Sequence, residues 1–498
     1  MPAAESETHI STKINRGVAW SAASQTVVAI ADLLSQAFVV ALWMSKFELG
    51  IVMAAVPLYS ILDAAADLGV TSALIQRDDH TPERVSTVFW FNVLLSFGLF
   101  AILCVAGPLY GMLQGYSILG WLLIAYGGKL IAQNFYAIPY ALLRKQLQFE
   151  EVAKIRTVAY LTESVTRVVF AAMGWTIWCF TLAAIAKTVV FAILMQWRHP
   201  FWPKLVFKWR EVEPYVKFGM RSAASSLLYY TYTNLDYPIV AYYFGADANG
   251  VYSLAFWIVL EAVKTIANVI IDVAFPTFAR LRDDHDGLIR EFIKLTRLSL
   301  IAILPFVVLV ALVVPEFLQL VYAGGTWDAD TIQRCTTACR ILCFVGVLRA
   351  LGYIGPPLLD GIGRPGLTLR YMLCAAIVVP LGFVASAQVL GPMLGADAML
   401  SVPIAWAVAY PLAFVVLGFL VQQSIDLPIG RYAKSCMTIV ACAAGGLATG
   451  FAVRLAVTDL PPAIRMVLVG AGSLAGTFAL LAFWQNITPR SIAASLKG

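Results

Sequence analysis

Apolar stretches of about 20 residues recur along almost the whole chain, each long enough to cross the hydrocarbon core of a bilayer as a helix. They fall near 18–43, 49–75, 86–108, 117–142, 152–173, 175–197, 217–244, 250–277, 297–321, 332–358, 367–390, 398–421, 433–456 and 463–485, about fourteen in all. The expected fold is all-α and polytopic, because a backbone in lipid must satisfy its own hydrogen bonds. Composition points the same way. Apolar residues make up 60% of the sequence and charged residues 13%, against about a quarter charged in an average soluble domain. In such a chain the net charge of +6 says nothing about nucleic acid, and no nucleic-acid partner is expected. What matters is where the positive charges lie.

The opening MPAAESETHISTKINRG is polar and lacks the apolar core of a secretory signal, so the N-terminus is expected to stay in the cytoplasm. With that orientation roughly 25 basic residues fall in cytoplasmic loops and tails, and about five (Lys46, Arg334, Arg340, Arg454, Arg465) fall outside. The asymmetry supports an even number of crossings, with both termini in the cytoplasm.

Internal similarity then organises the helices. Arg77-Asp78-Asp79-His80 returns as Arg282-Asp283-Asp284-His285, Ser21-Ala22-Ala23-Ser24 as Ser222-Ala223-Ala224-Ser225, and Gly50-Ile51 as Gly250-Val251. All are displaced by roughly 200 residues, the signature of a duplication. Six helices separate the copies, an even number, so the two halves are parallel repeats. The expected division is 1–197 for the first six helices, 198–216 for a cytoplasmic linker, 217–421 for the second six, and 422–498 for two extra helices and a tail. RDDH itself reads as a charged turn whose aspartates cap the next helix. The linker RHPFWPKLVFKWR interleaves bases with Phe201, Trp202, Phe207 and Trp209, as a segment at headgroup level would.

No catalytic constellation is visible. The four histidines (His9, His80, His199, His285) sit in separate loops without metal-binding spacing, and no Walker-type phosphate loop occurs. Cys335, Cys339 and Cys343 share a helix stripe, read as apolar packing rather than a metal site. The longest external loop, AGGTWDADTIQR, offers only Asp328 and Asp330. The chain is expected to be no enzyme and to need no cofactor or metal.

Charges at membrane depth are the informative residues, because each is costly there and usually faces a bundle interior or a wet cavity. The deep cations are Lys129, Arg167, Lys187, Lys264 and Arg349; the deep anions include Asp32, Asp63, Asp67, Asp236 and Asp272. Glu163 with Arg167 (i, i+4) and Glu261 with Lys264 (i, i+3) can each be an ion pair along one helix or a substrate contact. Lys129, Lys187 and Arg349 have no partner nearby in sequence and are candidates for binding an anion. Asp32 and Asp236 occupy the same helix of each half and are candidates for a coupling ion or for balancing a neighbouring cation, a role open to Glu163 and Glu261 as well.

The run NLDYPIVAYYFGADANGVYSLAFWI, followed by AFPTFARLRDD and LLDGIGRPG, with ALLRKQLQFEEVAKIR upstream, resembles the polysaccharide flippase branch of the multidrug/oligosaccharidyl-lipid/polysaccharide exporter superfamily. The resembling residues are Asn234, Leu235, Asp236, Phe244, Gly245, Gly250, Tyr252, Ser253, Leu254, Ala255, Pro276, Gly363 and Arg364. The resemblance implies two six-helix lobes around a central, often cationic cavity, and transport of undecaprenyl-diphosphate-linked oligosaccharide from the cytoplasmic to the periplasmic leaflet. It implies a lipid-linked oligosaccharide as partner, bilayer lipid around it, H+ or Na+ as a coupling ion, and polysaccharide polymerase or export machinery as neighbours. On that reading Lys129, Lys187 and Arg349, with Arg167 and Lys264, offset the diphosphate charge. The competing classes are a cation-coupled drug exporter of the same fold, which would favour buried acids over buried bases, and a membrane glycosyltransferase or polymer ligase, which needs a large external loop.

Overall fold

Each of these apolar stretches falls mainly on helix in the computed structural model, which describes residues 20, 24–25, 27–67, 81–146, 148–324 and 327–485. The first RDDH copy, residues 21–23 and the basic residues of both termini lie outside the described residues. In chain order the helices are α1 (Val27–Leu42), α2 (Lys46–Asp67), α3 (Pro82–Gln114), α4 (Ile118–Ala132), α5 (Asn134–Lys145), α6 (Phe149–Ala172), α7 (Cys179–Arg198), α8 (Trp209–Asn234) and α9 (Asp236–Phe256). After a π-helical turn, Trp257–Glu261, come α10 (Ala262–Arg280), α11 (His285–Tyr322), α12 (Ala329–Gly352), α13 (Gly355–Gly361), α14 (Pro365–Leu394), α15 (Ser401–Ile425), α16 (Ile429–Ala456) and α17 (Pro462–Gln485). Among the described residues there is no strand, only an isolated bridge between Gly324 and Trp327.

Nine helical spans of the described residues are long and apolar enough to cross a membrane. Two of them, Ala223–Arg280 with 58 residues and Pro365–Ile425 with 61, are long enough for two passes each. The protein is a multi-pass α-helical membrane protein. Its outer faces fit that solvent: along α1, Val27, Ile30, Leu33, Leu34, Phe38 and Leu42 all project outward.

Residues Met1–Asn249 and Gly250–Gly498 form two compact units. Within the first, α3 and α4 pair as an antiparallel hairpin at two glycines. A Cβ on Gly120 would lie 2.9 Å from the Gly107 carbonyl oxygen, so the backbones meet at a distance no other residue allows. The apolar stretch 117–142 is two helices, broken at Gln133. Pro139 in α5 has no N–H to give the carbonyl four residues earlier, and Gln196 of α7 donates to that Phe135 oxygen at 2.6 Å instead. Farther on, α9 breaks at Gly245 (φ 83°, ψ 175°), a left-handed conformation suited to glycine. The freed Ala246 N–H donates to the Tyr116 hydroxyl at 3.2 Å.

The segment 198–216 is partly helical. Helix α8 starts at Trp209, so only 199–208 is non-helical. That strap is pinned to the first turns of α3: Lys204 N donates to Ser86 Oγ at 3.0 Å, Trp90 Nε1 donates to the Lys204 carbonyl at 2.9 Å, and Lys208 pairs with Glu83 at 2.7 Å. Trp202 and Leu205 point away from the protein.

In the second unit, Asp284 caps α11 by accepting from Gly287 N at 2.9 Å, as read for the RDDH turn. Asp328 likewise caps α12, accepting from Thr331 N at 2.8 Å. The Cys335, Cys339 and Cys343 stripe is buried, its first two thiols directed at the Val251 and Ala255 carbonyls. Helices α16 and α17 pack on each other and on α11.

Candidate functional site

In the first unit, helices that are remote in sequence bring the charges of the apolar stretches together. Lys129 of α4 is only 5% exposed, and its Nζ donates to Asp63 Oδ1 of α2 at 2.6 Å. The same ammonium donates to the Tyr126 hydroxyl at 2.9 Å, which in turn donates to Asp63 Oδ2 at 2.7 Å, closing a ring of three groups. Tyr126 is held in place by stacking on Tyr59, with ring centroids 3.6 Å apart, and Tyr59 is tied to Thr181 of α7 at 2.7 Å. Lys129 therefore has a partner, one that lies 66 positions away and so could not be seen from local spacing.

Lys187 of α7 also has one. Its Nζ lies 2.8 Å from Glu163 Oε2 and 3.0 Å from Oε1, straddling the carboxylate of α6, and 4.7 Å from the centre of the Tyr160 ring. This changes the local pair expected along α6. Arg167 stands 4.0 Å from Glu163, but its NH1 donates to Asp32 Oδ1 of α1 at 2.7 Å and to Ser35 Oγ at 2.8 Å. The i, i+4 spacing brings Glu163 and Arg167 near each other, and neighbouring helices offer each a closer partner. Asp32 is further held by Gln36 Nε2 at 2.7 Å.

The three cations are thus matched by three carboxylates, at zero formal charge, across α1, α2, α4, α6 and α7. Buried ions demand this matching, since an isolated charge in a low-dielectric site is costly by several kcal/mol. These charges are unevenly covered. Lys129 and Arg167 are 5% exposed, whereas their partners Asp63 and Asp32 are 41% and 40% exposed.

One cation of the second unit, Arg349, packs on aromatic rings. Arg349 of α12 is buried, with its guanidinium carbon 4.4 Å from the Trp406 ring centre and 5.7 Å from those of Phe256 and Tyr410. Trp406, itself fully buried, is fixed by donating Nε1 to the Tyr252 hydroxyl at 3.0 Å and by packing on Phe383. Lys264 and Glu261 pair at 3.0 Å as their spacing predicts, both partly exposed at the end of the π-helical turn. Asp236 is fully buried at the start of α9, where its Oδ1 accepts from the Tyr237 N–H at 3.1 Å.

Sequence reading passed over Glu316. This residue of α11 is 2% exposed and is gripped by Arg454 of α16 and Arg465 of α17, each at 2.9 Å. It lies inside the apolar stretch 297–321, so the depth rule applied to the other anions was sufficient to find it.

An all-helical, multi-pass fold carrying paired charges within its apolar stretches defines a membrane transport class rather than a soluble enzyme. The chain belongs to the family described as "Polysaccharide biosynthesis protein", whose model matches residues 39–330, more than half of its length. It is 28% identical over 419 residues to the lipopolysaccharide biosynthesis protein WzxC of Escherichia coli (strain K12), covering 82% of this chain and 78% of that one. It is 25% identical to the teichuronic acid biosynthesis protein TuaB of Bacillus subtilis (strain 168), covering 83% and 84%. Among solved structures, the inward closed conformation of the lipid II flippase MurJ superposes with a TM-score of 0.73 at 14% identity, covering 94% of this chain and 98% of that one. That last likeness establishes the fold.

Proposed function

We propose that this protein flips undecaprenyl-diphosphate-linked oligosaccharide repeat units from the cytoplasmic to the periplasmic leaflet of a bacterial inner membrane, supplying exopolysaccharide assembly. The observation that carries the reading is family membership: relatives matched over about four-fifths of both chains are named for the biosynthesis of sugar polymers. The fold shared with a lipid II flippase is compatible with a substrate whose headgroup is wet and whose tail is lipid.

In this reading the helices divide into lobes at 1–197 and 217–421, with the termini in the cytoplasm and 422–498 as an addition. The sugar diphosphate enters a wet path while the polyprenyl tail stays in lipid, and alternating access exposes the path to each leaflet in turn. Lys129, Lys187 and Arg349, with Arg167 and Lys264, offset the diphosphate charge. An inside-negative potential favours outward movement of an anion by about 2.3 kcal/mol per charge per 100 mV. Inward H+ or Na+, engaging Asp32 or Asp236, then serves to reset the carrier, and polymerase and export machinery take up the product. The charge argument against a drug exporter is weaker than the sequence suggests, because the cations of the first unit are matched by carboxylates. Family membership now bears the weight.

The test is flipping in vesicles. Purified protein is reconstituted with a fluorescent polyprenyl-diphosphate oligosaccharide, and access to an impermeant quencher is compared with protein-free vesicles and with vesicles carrying a lipophilic cationic dye. Protein-dependent transfer of the oligosaccharide alone is expected. Transfer of the dye alone would select the drug-exporter reading. Full activity after Lys129, Lys187 and Arg349 are all replaced with Gln would remove the assigned anion site.

A further inference from the structure

Lys129 and Lys187 are candidates for holding an anion, yet each already holds one. Asp63 lies 2.6 Å from Lys129, and Glu163 straddles Lys187 at 2.8 and 3.0 Å. The carboxylates are also the more open members in the first of these pairs: Asp63 is 41% exposed and the ammonium beneath it 5%. An incoming diphosphate therefore meets a lysine already covered by an aspartate. Adding its two negative charges to a set of groups that is neutral when empty would leave the site with an uncompensated charge, unless carboxylates give way. Asp63 has room to move, because much of its side chain is exposed. Tyr126 can stay behind, since its ring is fixed by Tyr59 and its hydroxyl also meets Lys129 at 2.9 Å.

We propose that Asp63 and Glu163 are exchangeable internal counter-anions: the substrate diphosphate displaces them from Lys129 and Lys187, and they return when it leaves. Their task is the empty half of the cycle. A carrier that has released its anion would otherwise have to move with two bare ammonium groups in a low-dielectric interior, and the returning carboxylates neutralise them. The cost falls on affinity, because substrate must compete with resident groups for both lysines. No covalent step or proton transfer is required, and the lysines keep their charge throughout. Asp63 thereby becomes a determinant of affinity and of turnover that touches the substrate only by competing with it.

This inference rests on the flippase reading and predicts a split that a purely structural role does not. In detergent, inorganic diphosphate and a short-chain polyprenyl diphosphate are titrated against wild type, Asp63→Asn and Glu163→Gln, with inorganic phosphate as a charge control. Both variants should bind the diphosphates roughly tenfold more tightly, whereas Lys129→Gln should bind them more weakly. In vesicles, the first turnover of labelled oligosaccharide should be preserved in Asp63→Asn and steady-state flipping reduced, because reset of the empty carrier is slowed. Equal or weaker diphosphate binding in both carboxylate variants, or tighter binding with unchanged steady-state flipping, would overturn the proposal. Variants that fail to fold are recognised by thermal melting, and Glu163→Gln gives a reading independent of Asp63. A wild-type protein that does not flip the oligosaccharide would count against the function itself. Wild-type flipping with an unaltered Asp63→Asn would count against the counter-anions alone.

Discussion

Two sites, one in each unit, hold buried cations in two ways. In the first, Lys129, Lys187 and Arg167 are each set against a carboxylate on another helix, at 2.6 to 2.8 Å. In the second, Arg349 lies against the faces of Trp406, Phe256 and Tyr410. A carboxylate cancels the charge of an ammonium and of a guanidinium alike. An aromatic face attracts a cation through its quadrupole without cancelling the charge, and it selects a flat guanidinium over a compact ammonium. The first arrangement suits a site that must open and close to an anion. The second suits a cation that must keep its position.

The largest expected effect is in the aromatic site. Trp406→Ala removes the fully buried ring on which Arg349 rests and should lower stability by about 3–5 kcal/mol, read as a fall in melting temperature in detergent. Trp406→Phe, which keeps a π face and loses the Tyr252 hydrogen bond, should recover more than half of that. Next comes the paired site. A double-mutant cycle on Lys129→Ala and Asp63→Ala should give a coupling of about 1–3 kcal/mol, the double variant being less damaged than the sum of the singles. Additivity there would break the comparison, since it would mean that the pair contributes nothing.

Swapping cation types sharpens it. Arg349→Lys should cost about 0.5–2 kcal/mol through loss of stacking, while Lys187→Arg, whose guanidinium can meet both oxygens of Glu163, should cost less. Equal losses would show that shape matters no more in one site than in the other. Tyr126→Phe, which deletes only the hydroxyl linking Lys129 to Asp63, should cost about 1 kcal/mol, read in the same melting experiment.

Much of this architecture was legible in the sequence because its causes are local. Apolar runs of bilayer length become helices whatever surrounds them, and RDDH becomes a capped turn because an aspartate oxygen can reach an N–H three residues on. The interruptions were harder to read. Gln133 ends α4 inside a continuous apolar run, and the repair of the Pro139 gap by Gln196 depends on a residue 61 positions from the carbonyl it serves. The candidate site was legible as a set of residues and illegible as a set of bonds. Lys129, Arg167, Lys187 and Arg349 were found by depth alone, but their partners lie on other helices, up to 135 positions distant for Arg167 and Asp32. The only local cue to the aromatic site was the i, i+4 spacing of Trp406 and Tyr410, which places both on one helix face.

The clasp at Glu316 bears on how the molecule is made. This acid is buried in α11, and the arginines that neutralise it arrive on α16 and α17, with Arg454 following 138 residues later. Ribosomal synthesis proceeds from the N-terminus, so the acid enters the bilayer before either arginine exists. Until the last hairpin inserts, the nascent chain holds an acid at an interface that later helices must cover, and those helices carry their own charges into the membrane unaided. A chain ending after α15 would thus be an arrested assembly intermediate rather than a smaller carrier, an exposed substrate for membrane proteases.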